Sequence, residues 1–121
     1  MTLVSVGVGV HRCMEAARML VNENVYATVI DLRTVSPLDK ETIREAAQRT
    51  GRIVVVDEDY EACGLSGEVA AVIAERDIPV KFRRVCTQET IPYDRRREDQ
   101  VLPNVGRIVA AVKELVPAWP S

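Results

Sequence analysis

The chain has 121 residues, a length that fits one domain and leaves no room for two ordinary ones. Hydrophobic residues make up 47% and charged residues 28%, a balance that is typical of a globular domain and excludes general disorder. The net charge of −2 does not suit nucleic acid or an anionic membrane, no apolar run is long enough to span a bilayer, and the N-terminus does not resemble a signal peptide. We therefore expect a single cytoplasmic domain over residues 1–121.

Cysteine and histidine are too few and too scattered to predict a metal centre. Cys13, Cys63 and Cys86 form no CxxC pair, which argues against both a disulfide framework and a structural zinc site. We expect them to be reduced and mostly buried, because a free cysteine behaves as a small hydrophobic residue. His11 has no Ser, Cys or acid within predictable reach, which favours a hydrogen-bonded structural role over general-base catalysis. No nucleophile–base pair can be assembled, and the chain alone is not predicted to be an enzyme.

Strand and helix patterns alternate along the chain. Four β-branched runs are predicted to be strands, at residues 2–6, 27–32, 53–56 and 80–85. The first strand ends at Gly7 and Gly9, and Asp39 is predicted to cap the second helix, which ends at Gly51. The third run is wholly apolar, as in a central strand, whereas Lys81 and Arg83 alternate through the fourth, as in an edge strand. The stretch 86–103 is predicted to be irregular before a last amphipathic helix over residues 105–116.

This alternation predicts an α/β fold with three layers, α/β/α. We expect a mostly parallel sheet of four main strands in the order 2-1-3-4, with helices on both faces. The strand order then reverses between the first and third strands. Ligands of open parallel sheets collect at the carboxyl ends of the strands beside such a switch point.

A dinucleotide site is one hypothesis for that edge. Gly7 and Gly9 open a helix, and Asp31 ends the second strand where a ribose-binding carboxylate would lie. The third glycine of the GxGxxG fingerprint is replaced by Arg12, which argues against close packing of helix and strand. The loop containing Gly64 also leads into a helix N-terminus, where backbone N–H groups attract anions. An anion or nucleotide module built on Gly7, Gly9 and Gly64 is therefore kept as an alternative function.

Acidic and basic runs are predicted to be mainly solvated. Four acids, which could in principle hold a hard cation, follow the third strand at Asp57, Glu58, Asp59 and Glu61. Neighbouring strand-end residues point in opposite directions, so we expect a solvated acidic loop instead of a cation site. The run at residues 95–99 is interpreted in the same way.

Several segments, in order along nearly the whole chain, resemble one protein family. Residues 29–39 (VIDLRTVSPLD), 50–58 (TGRIVVVDE) and 64–71 (GLSGEVAA) are similar to motifs of the β subunits of thiamine-diphosphate-dependent 2-oxo acid dehydrogenases, which are transketolase-like proteins. Residues 91–93 and 102–109 continue the resemblance. The part that is matched is the C-terminal domain of such a subunit. The resemblance therefore implies the transketolase C-terminal fold.

The resemblance also implies a function in assembly and not in catalysis. In that family thiamine diphosphate and Mg lie between other domains, so the full enzyme is expected to hold them and this chain to bind no cofactor. The implied partners are the α subunit, a second β subunit and the acyltransferase core of the complex. The acyltransferase docking module is typically basic, so acids at its partner surface would be complementary. Asp77 and Glu75 are the docking candidates, and the chain terminus after Trp119 could contribute.

The chain departs from the family at two places. The linking segment that normally adds an antiparallel edge strand is missing before Met1, so the second strand is expected to have a bare edge. Residues 88–92 and the charged residues after Tyr93 replace the family's usual sequence. Exposed apolar surface makes a homodimer plausible. A further alternative is an enzyme that is completed only by a separately encoded cofactor-binding subunit, with decarboxylation of a 2-oxo acid as the reaction.

Overall fold

The computed structural model describes residues 1–88 and 94–116. Strands and helices alternate in the predicted order, and one short helix is added before the last one. The elements are β1 (Thr2–Ser5), α1 (Val8–Val21), β2 (Thr28–Asp31), α2 (Lys40–Thr50), β3 (Arg52–Tyr60), α3 (Leu65–Glu75), β4 (Lys81–Thr87), α4 (Arg95–Val101) and α5 (Val105–Leu115). None of these helices is long and apolar enough to cross a membrane.

The four strands form one parallel sheet in the order β2-β1-β3-β4. This confirms the predicted order and the predicted switch point between β1 and β3. β2 and β4 are the edges of the sheet, and no other strand of the described chain pairs with the outer side of β2.

The apolar run of β3 divides the core into two halves. Ile53 and Val55 face one side of the sheet, where α2 and α3 pack, whereas Val54 and Val56 face α1 and α5. All four side chains are essentially inaccessible to solvent. Because successive residues of a strand point to opposite faces, a run that is apolar throughout is buried on both sides. The central placement of this strand follows directly from its sequence.

Two predicted helix boundaries are found as expected. The Asp39 carboxylate accepts a hydrogen bond from the backbone N–H of Thr42 at 3.1 Å, so it caps the first turn of α2. Gly51 ends the same helix with a φ of 66°, a left-handed conformation that costs glycine little.

The prediction of an irregular stretch over residues 86–103 is wrong in part. β4 extends to Thr87, and residues 95–101 form α4. Asp94 begins that helix, because its carboxylate accepts a hydrogen bond from the backbone N–H of Arg96. A local cap and a run without Gly or Pro are sufficient to start a short helix in a highly charged segment. Residues 89–93 lie outside the described residues, as do 117–121, which include the docking candidate after Trp119.

Candidate functional site

An open cleft of about 580 Å³ lies at the carboxyl end of the sheet. Residues that follow β1 and β2 form one side, and the end of β3 and the start of α3 form the other. This is the switch point, where open parallel sheets bind ligands. The cleft is lined by Val6, Val35, Asp57, Asp59, Cys63, Gly64, Leu65, Gly67 and Glu68.

Asp57 is the buried acid of this cleft. Only 7% of its surface is exposed, and one carboxylate oxygen, Oδ1, accepts a hydrogen bond from the backbone N–H of Asp59 at 3.1 Å. The other oxygen, Oδ2, is enclosed and has no hydrogen-bond partner among the described residues. Buried polar atoms are nearly always paired, so this enclosed oxygen, which solvent does not reach, makes the buried carboxylate costly for the fold.

The surroundings of Asp57 make its negative charge unfavourable. Burial raises the pKa of its carboxyl group above the ordinary value, and the charges of Asp59 and Glu58 raise it further. The backbone N–H groups of Asp59 and Leu65 lower the pKa and so oppose part of this effect. Leu65 is the first residue of α3, so the carboxyl group lies at the N-terminus of that helix. The electropositive end of α3 already faces an acid of the same chain.

The burial of Asp57 corrects the prediction of a wholly solvated acidic loop. β3 continues to Tyr60 and not only to Val56, so Asp57 shares a face with Ile53 and Val55. The alternation of side chains along a longer strand was the signal that could have found it. Glu58 and Asp59 are exposed, as expected.

Two other acids of the run, Glu58 and Glu61, are paired with arginines. Glu58 Oε1 lies 2.8 Å from Nη1 of Arg12 in α1, and Glu61 Oε1 lies 3.1 Å from Nη2 of Arg84 in β4. Within residues 1–88 and 94–116, no group of three His, Cys, Asp or Glu side chains could hold a metal ion. The acids therefore diverge from one another and do not form a cation cage.

The three glycines of the alternative ligand site each have a structural reason. A Cβ at Gly9 would lie 2.2 Å from Oγ of Ser5, so glycine lets α1 pack closely on β1. A Cβ at Gly64 would lie 2.2 Å from the backbone oxygen of Tyr60. Gly7 has a φ of 64°, which the turn between β1 and α1 requires. In this chain Gly9, and not position 12, provides the close contact of helix and strand.

The charge of the cleft disfavours an anionic ligand. Its lining includes the acids Asp57, Asp59 and Glu68 and contains no lysine or arginine. A phosphate at the N-terminus of α3 would meet these carboxylates, and repulsion between like charges would oppose its binding. Asp31 is exposed at the end of β2, where its Oδ1 accepts a hydrogen bond from the backbone N–H of Arg33. A ligand role for Gly7, Gly9 and Gly64 remains a prediction.

The cysteines differ in their accessibility. Cys13 and Cys86 are buried, as expected, whereas Cys63 is exposed at the rim of the cleft. Burial raises the pKa of the Cys13 thiol to about 11, although a hydrogen bond with Ser5 acts in the opposite direction. The predicted hydrogen-bonded role of His11 is not found, because this residue is exposed on α1 and its side chain has no hydrogen-bond partner in the described part of the chain.

The two docking candidates lie at the opposite end of α3 from the cleft. Glu75 is the last residue of this helix, and Asp77 follows in a left-handed conformation with a φ of 55°. Both are exposed, and neither side chain forms an ion pair or hydrogen bond with the described residues. Acids at a helix C-terminus oppose the helix dipole, so these two carboxylates are available to a basic partner.

The family follows from the sequence taken together with this fold. The model of the transketolase C-terminal domain matches residues 1–108. The chain belongs to the transketolase C-terminal domain family. A solved structure described as a split-gene transketolase, inactive beta4 tetramer, has the same fold with a TM-score of 0.86 and 29% identity, over 93% of this chain and 38% of the other. The resemblance found in the sequence is thereby confirmed.

Three similar curated proteins are β subunits of two dehydrogenases and one oxidoreductase. The chain is 38% identical to the 2-oxoisovalerate dehydrogenase subunit beta of Bacillus subtilis, over 94% of this chain and 36% of that protein. It is 36% identical to the acetoin:2,6-dichlorophenolindophenol oxidoreductase subunit beta of Cupriavidus necator, over 93% of this chain and 35% of that protein. Its identity to the pyruvate dehydrogenase E1 component subunit beta of Rickettsia bellii is 33%, over 94% of this chain and 36% of that protein. The chain thus spans about a third of the length of these relatives.

Proposed function

We propose that this chain is the non-catalytic assembly and docking domain of the β subunit of a 2-oxo acid dehydrogenase. The observation that carries the proposal is a match along nearly the whole chain to about a third of the β subunits of two such dehydrogenases and of an acetoin oxidoreductase. The proposed host reaction is oxidative decarboxylation of a 2-oxo acid with acyl transfer to lipoamide, in the cytoplasm. The contribution of this chain is contact between subunits.

Thiamine diphosphate and Mg belong to the rest of that enzyme in this proposal. The cleft does not fit a diphosphate, because its lining acids carry the same sign of charge and no basic side chain offsets them. The described residues also offer no cluster of ligands for a divalent cation. We therefore assign no step of the reaction to a residue of this chain.

The proposed partners are the α subunit, a second β subunit and the acyltransferase core. Glu75 and Asp77 are the proposed contacts to a basic docking module on the acyltransferase. Both are exposed and have no ion-pair or hydrogen-bond partner among residues 1–88 and 94–116, which supports this role, since pairing with a cation would require no such contact to be broken. Charges at the rim of an interface mainly increase the association rate, so binding should weaken as salt is raised.

The docking proposal is tested by reversing the charge of Asp77. We expect Asp77→Lys to weaken binding of the isolated basic docking module of a 2-oxo acid dehydrogenase acyltransferase by about tenfold, measured by titration calorimetry. Glu75→Lys should have a similar effect. Glu15→Lys is the matched control, because Glu15 is an exposed acid on α1, away from this corner. Equal affinities of the wild type and Asp77→Lys would show that Asp77 is not part of the interface.

Two other functions are separated by simple measurements. An anion or nucleotide module would be stabilised by its ligand, so a thermal-shift series with nucleotides and phosphate should raise the melting temperature. The charge of the cleft leads us to expect no shift. An enzyme completed by a separate cofactor-binding subunit would gain decarboxylase activity when the two chains are mixed. Absence of a complex at micromolar concentrations would contradict that alternative.

A further inference from the structure

The outer edge of β2 presents a short row of backbone groups that no other strand of the described chain pairs with. Every second residue of this segment donates its N–H group to the β1 side, Thr28 to the carbonyl oxygen of Met1 at 3.0 Å and Leu32 to that of Ser5 at 2.9 Å. Because the backbone of a strand alternates in direction, the residues between these donors point their N–H and C=O groups away from the sheet. They are Ala27, Val29 and Asp31.

Local hydrogen bonds close this row at both ends. Before it, the N–H group of Val25 donates to the carbonyl oxygen of Leu20 in α1 at 3.0 Å. After it, the N–H group of Arg33 donates to Oδ1 of Asp31 at 3.0 Å. The three outward residues that remain have Val29 at their centre. An antiparallel copy of the same strand, centred on the same valine, therefore pairs with all three of them.

The two edges of the sheet differ in charge. β4 carries Lys81, Arg83 and Arg84, and positive charges would face each other if two β4 edges met. Residues 25–30 at the β2 edge (VYATVI) include no charged residue and no proline, and Tyr26 is 70% exposed. A contact between two copies brings residues near the two-fold axis close to their own counterparts, so it favours an uncharged segment. The β2 edge meets this condition and the β4 edge does not.

An apolar flank of α1 continues the β2 edge on one face of the sheet. Arg12 of α1 pairs with Glu58 of β3, so that side of the helix is turned toward β3. Met14 lies about 200° further round the helix and is turned the other way, toward β2. Ala17 and Val21 follow it at helical spacing on the same flank. Met14 is 41% exposed and Val21 is 47% exposed, so the described chain leaves this flank partly uncovered.

We propose that the β2 edge and this flank of α1 form the contact between two copies of the chain. The two β2 strands pair antiparallel about a two-fold axis at Val29, which joins the two sheets into one. The axis is perpendicular to the sheet, so both α1 helices lie on the same face, and their apolar flanks pack together. The basic β4 strands become the outer edges, so assembly stops at the dimer. The inference rests on the proposed function in so far as a second β subunit is one of the proposed partners.

The oligomeric state of the 121-residue chain is the first test. Sedimentation velocity follows the mass as the concentration is raised, and we expect a monomer–dimer equilibrium with a Kd on the order of 10 µM. A chain that stays monomeric well above that concentration would overturn the proposal and leave the β2 edge to a strand of a different protein. Assemblies that grow beyond the dimer would also overturn it, because the β4 edges would then not be protected.

Two exposed methionines of α1 provide a matched pair of variants. Met14→Glu places a carboxylate on the β2 flank in both copies, and we expect the dimer to weaken by about tenfold or more. Met19 is 51% exposed and lies two turns after Arg12, on the flank that is turned toward β3, so Met19→Glu should leave the dimer unchanged. Both positions are at the surface, so both variants should fold. Equal effects of the two substitutions would refute the assignment of the contact to the β2 flank.

Amide hydrogen exchange tests the pairing of the strands directly. We expect the amides of Ala27, Val29 and Asp31 to exchange more slowly as the concentration is raised through the Kd. At the other edge Lys81 donates its N–H group to Gly51, so the amide of Phe82 points outward from β4 and serves as the control. Its exchange should not depend on concentration. A dimeric sample in which the three β2 amides gain no protection would refute the proposal.

The dimer and the acyltransferase contact can fail independently. Glu75 and Asp77 lie at the end of α3, just before β4, whereas the proposed dimer contact lies at the β2 edge. A chain that dimerises as described but does not bind the docking module would refute only the acyltransferase contact. A chain that binds the docking module but stays monomeric would refute only the dimer contact.

Discussion

Helix α3 carries acids at both ends, and their surroundings differ. At its N-terminus Asp57 is enclosed, lies close to the first backbone N–H group of the helix and has one oxygen without a hydrogen-bond partner in the described part of the chain. At its C-terminus Glu75 and Asp77 are exposed to solvent. The helix dipole favours acids at the first end and opposes them at the second. Carboxylates can therefore be part of a cleft wall at one end of α3 and form an exposed candidate docking surface at the other. We call the exposed end, with Glu75 and Asp77, the open corner.

The prediction with the largest expected effect substitutes an aspartate for an apolar residue near each end of α3. Val55→Asp adds a charge to the buried face of β3, two residues before Asp57, and should cost several kcal/mol and unfold the domain. Ala74→Asp adds the same group to an exposed position in the last turn of α3 and should cost about 1 kcal/mol or less. Denaturant unfolding measures both variants. Cooperative unfolding of Val55→Asp near the wild-type midpoint would refute the central position of β3.

A smaller test uses two glycines at the enclosed end. A Cβ at Gly64 would meet the backbone oxygen of Tyr60, which cannot move cheaply, so Gly64→Ala should destabilise the fold by about 1–3 kcal/mol. A Cβ at Gly67 in the first turns of α3 meets nothing within 4 Å. Gly67→Ala should therefore stabilise the chain by about 0.5–1 kcal/mol, because alanine favours a helix. Thermal unfolding of Gly64→Ala and Gly67→Ala measures both effects. If both melting temperatures change in the same direction, the packing around these two glycines is not as the structure shows.

The layered fold could be predicted from the sequence because each element carries its own signal. The apolar run at residues 53–56 requires burial on both faces, and Asp39 and Gly51 mark the ends of α2 by local hydrogen bonding and backbone conformation. α4 was missed because a short, highly charged helix has no apolar stripe. Local patterns reveal local structure well.

The cleft was harder to predict because its features depend on distant parts of the chain. The burial of Asp57 depends on the extension of β3 beyond its apolar run and on the position of α3. The reason for Gly64 is a contact with Tyr60 that only the folded loop creates. By contrast, the exposure of Asp77 at the open corner could be expected from its position before a strand. The chemistry of the cleft depends on contacts between β3, α3 and the loop that joins them, and these contacts are not visible in the sequence pattern.

The smallest expected effect concerns the charge of Asp57 itself. Its pKa is raised in the folded chain, so between the ordinary value near 3.8 and the raised value the folded state holds more protons than the unfolded state. Stability from this group is therefore present at low pH and is lost as pH rises through the folded pKa. Asp57→Asn keeps a neutral polar group, so we expect its free energy of unfolding relative to that of the wild type to increase as pH rises across this window.

The matched variant for that pH series is Asp77→Asn, which removes one carboxylate from the open corner at a position where asparagine tolerates the left-handed backbone. Denaturant unfolding is measured for the wild type and both variants from below pH 4 to neutral pH. We expect the gain in the free energy of unfolding, relative to the wild type, to be greater for Asp57→Asn than for Asp77→Asn. Equal gains would mean that net charge alone governs the trend. The enclosed end of α3 would then be no more costly for an acid than the exposed end.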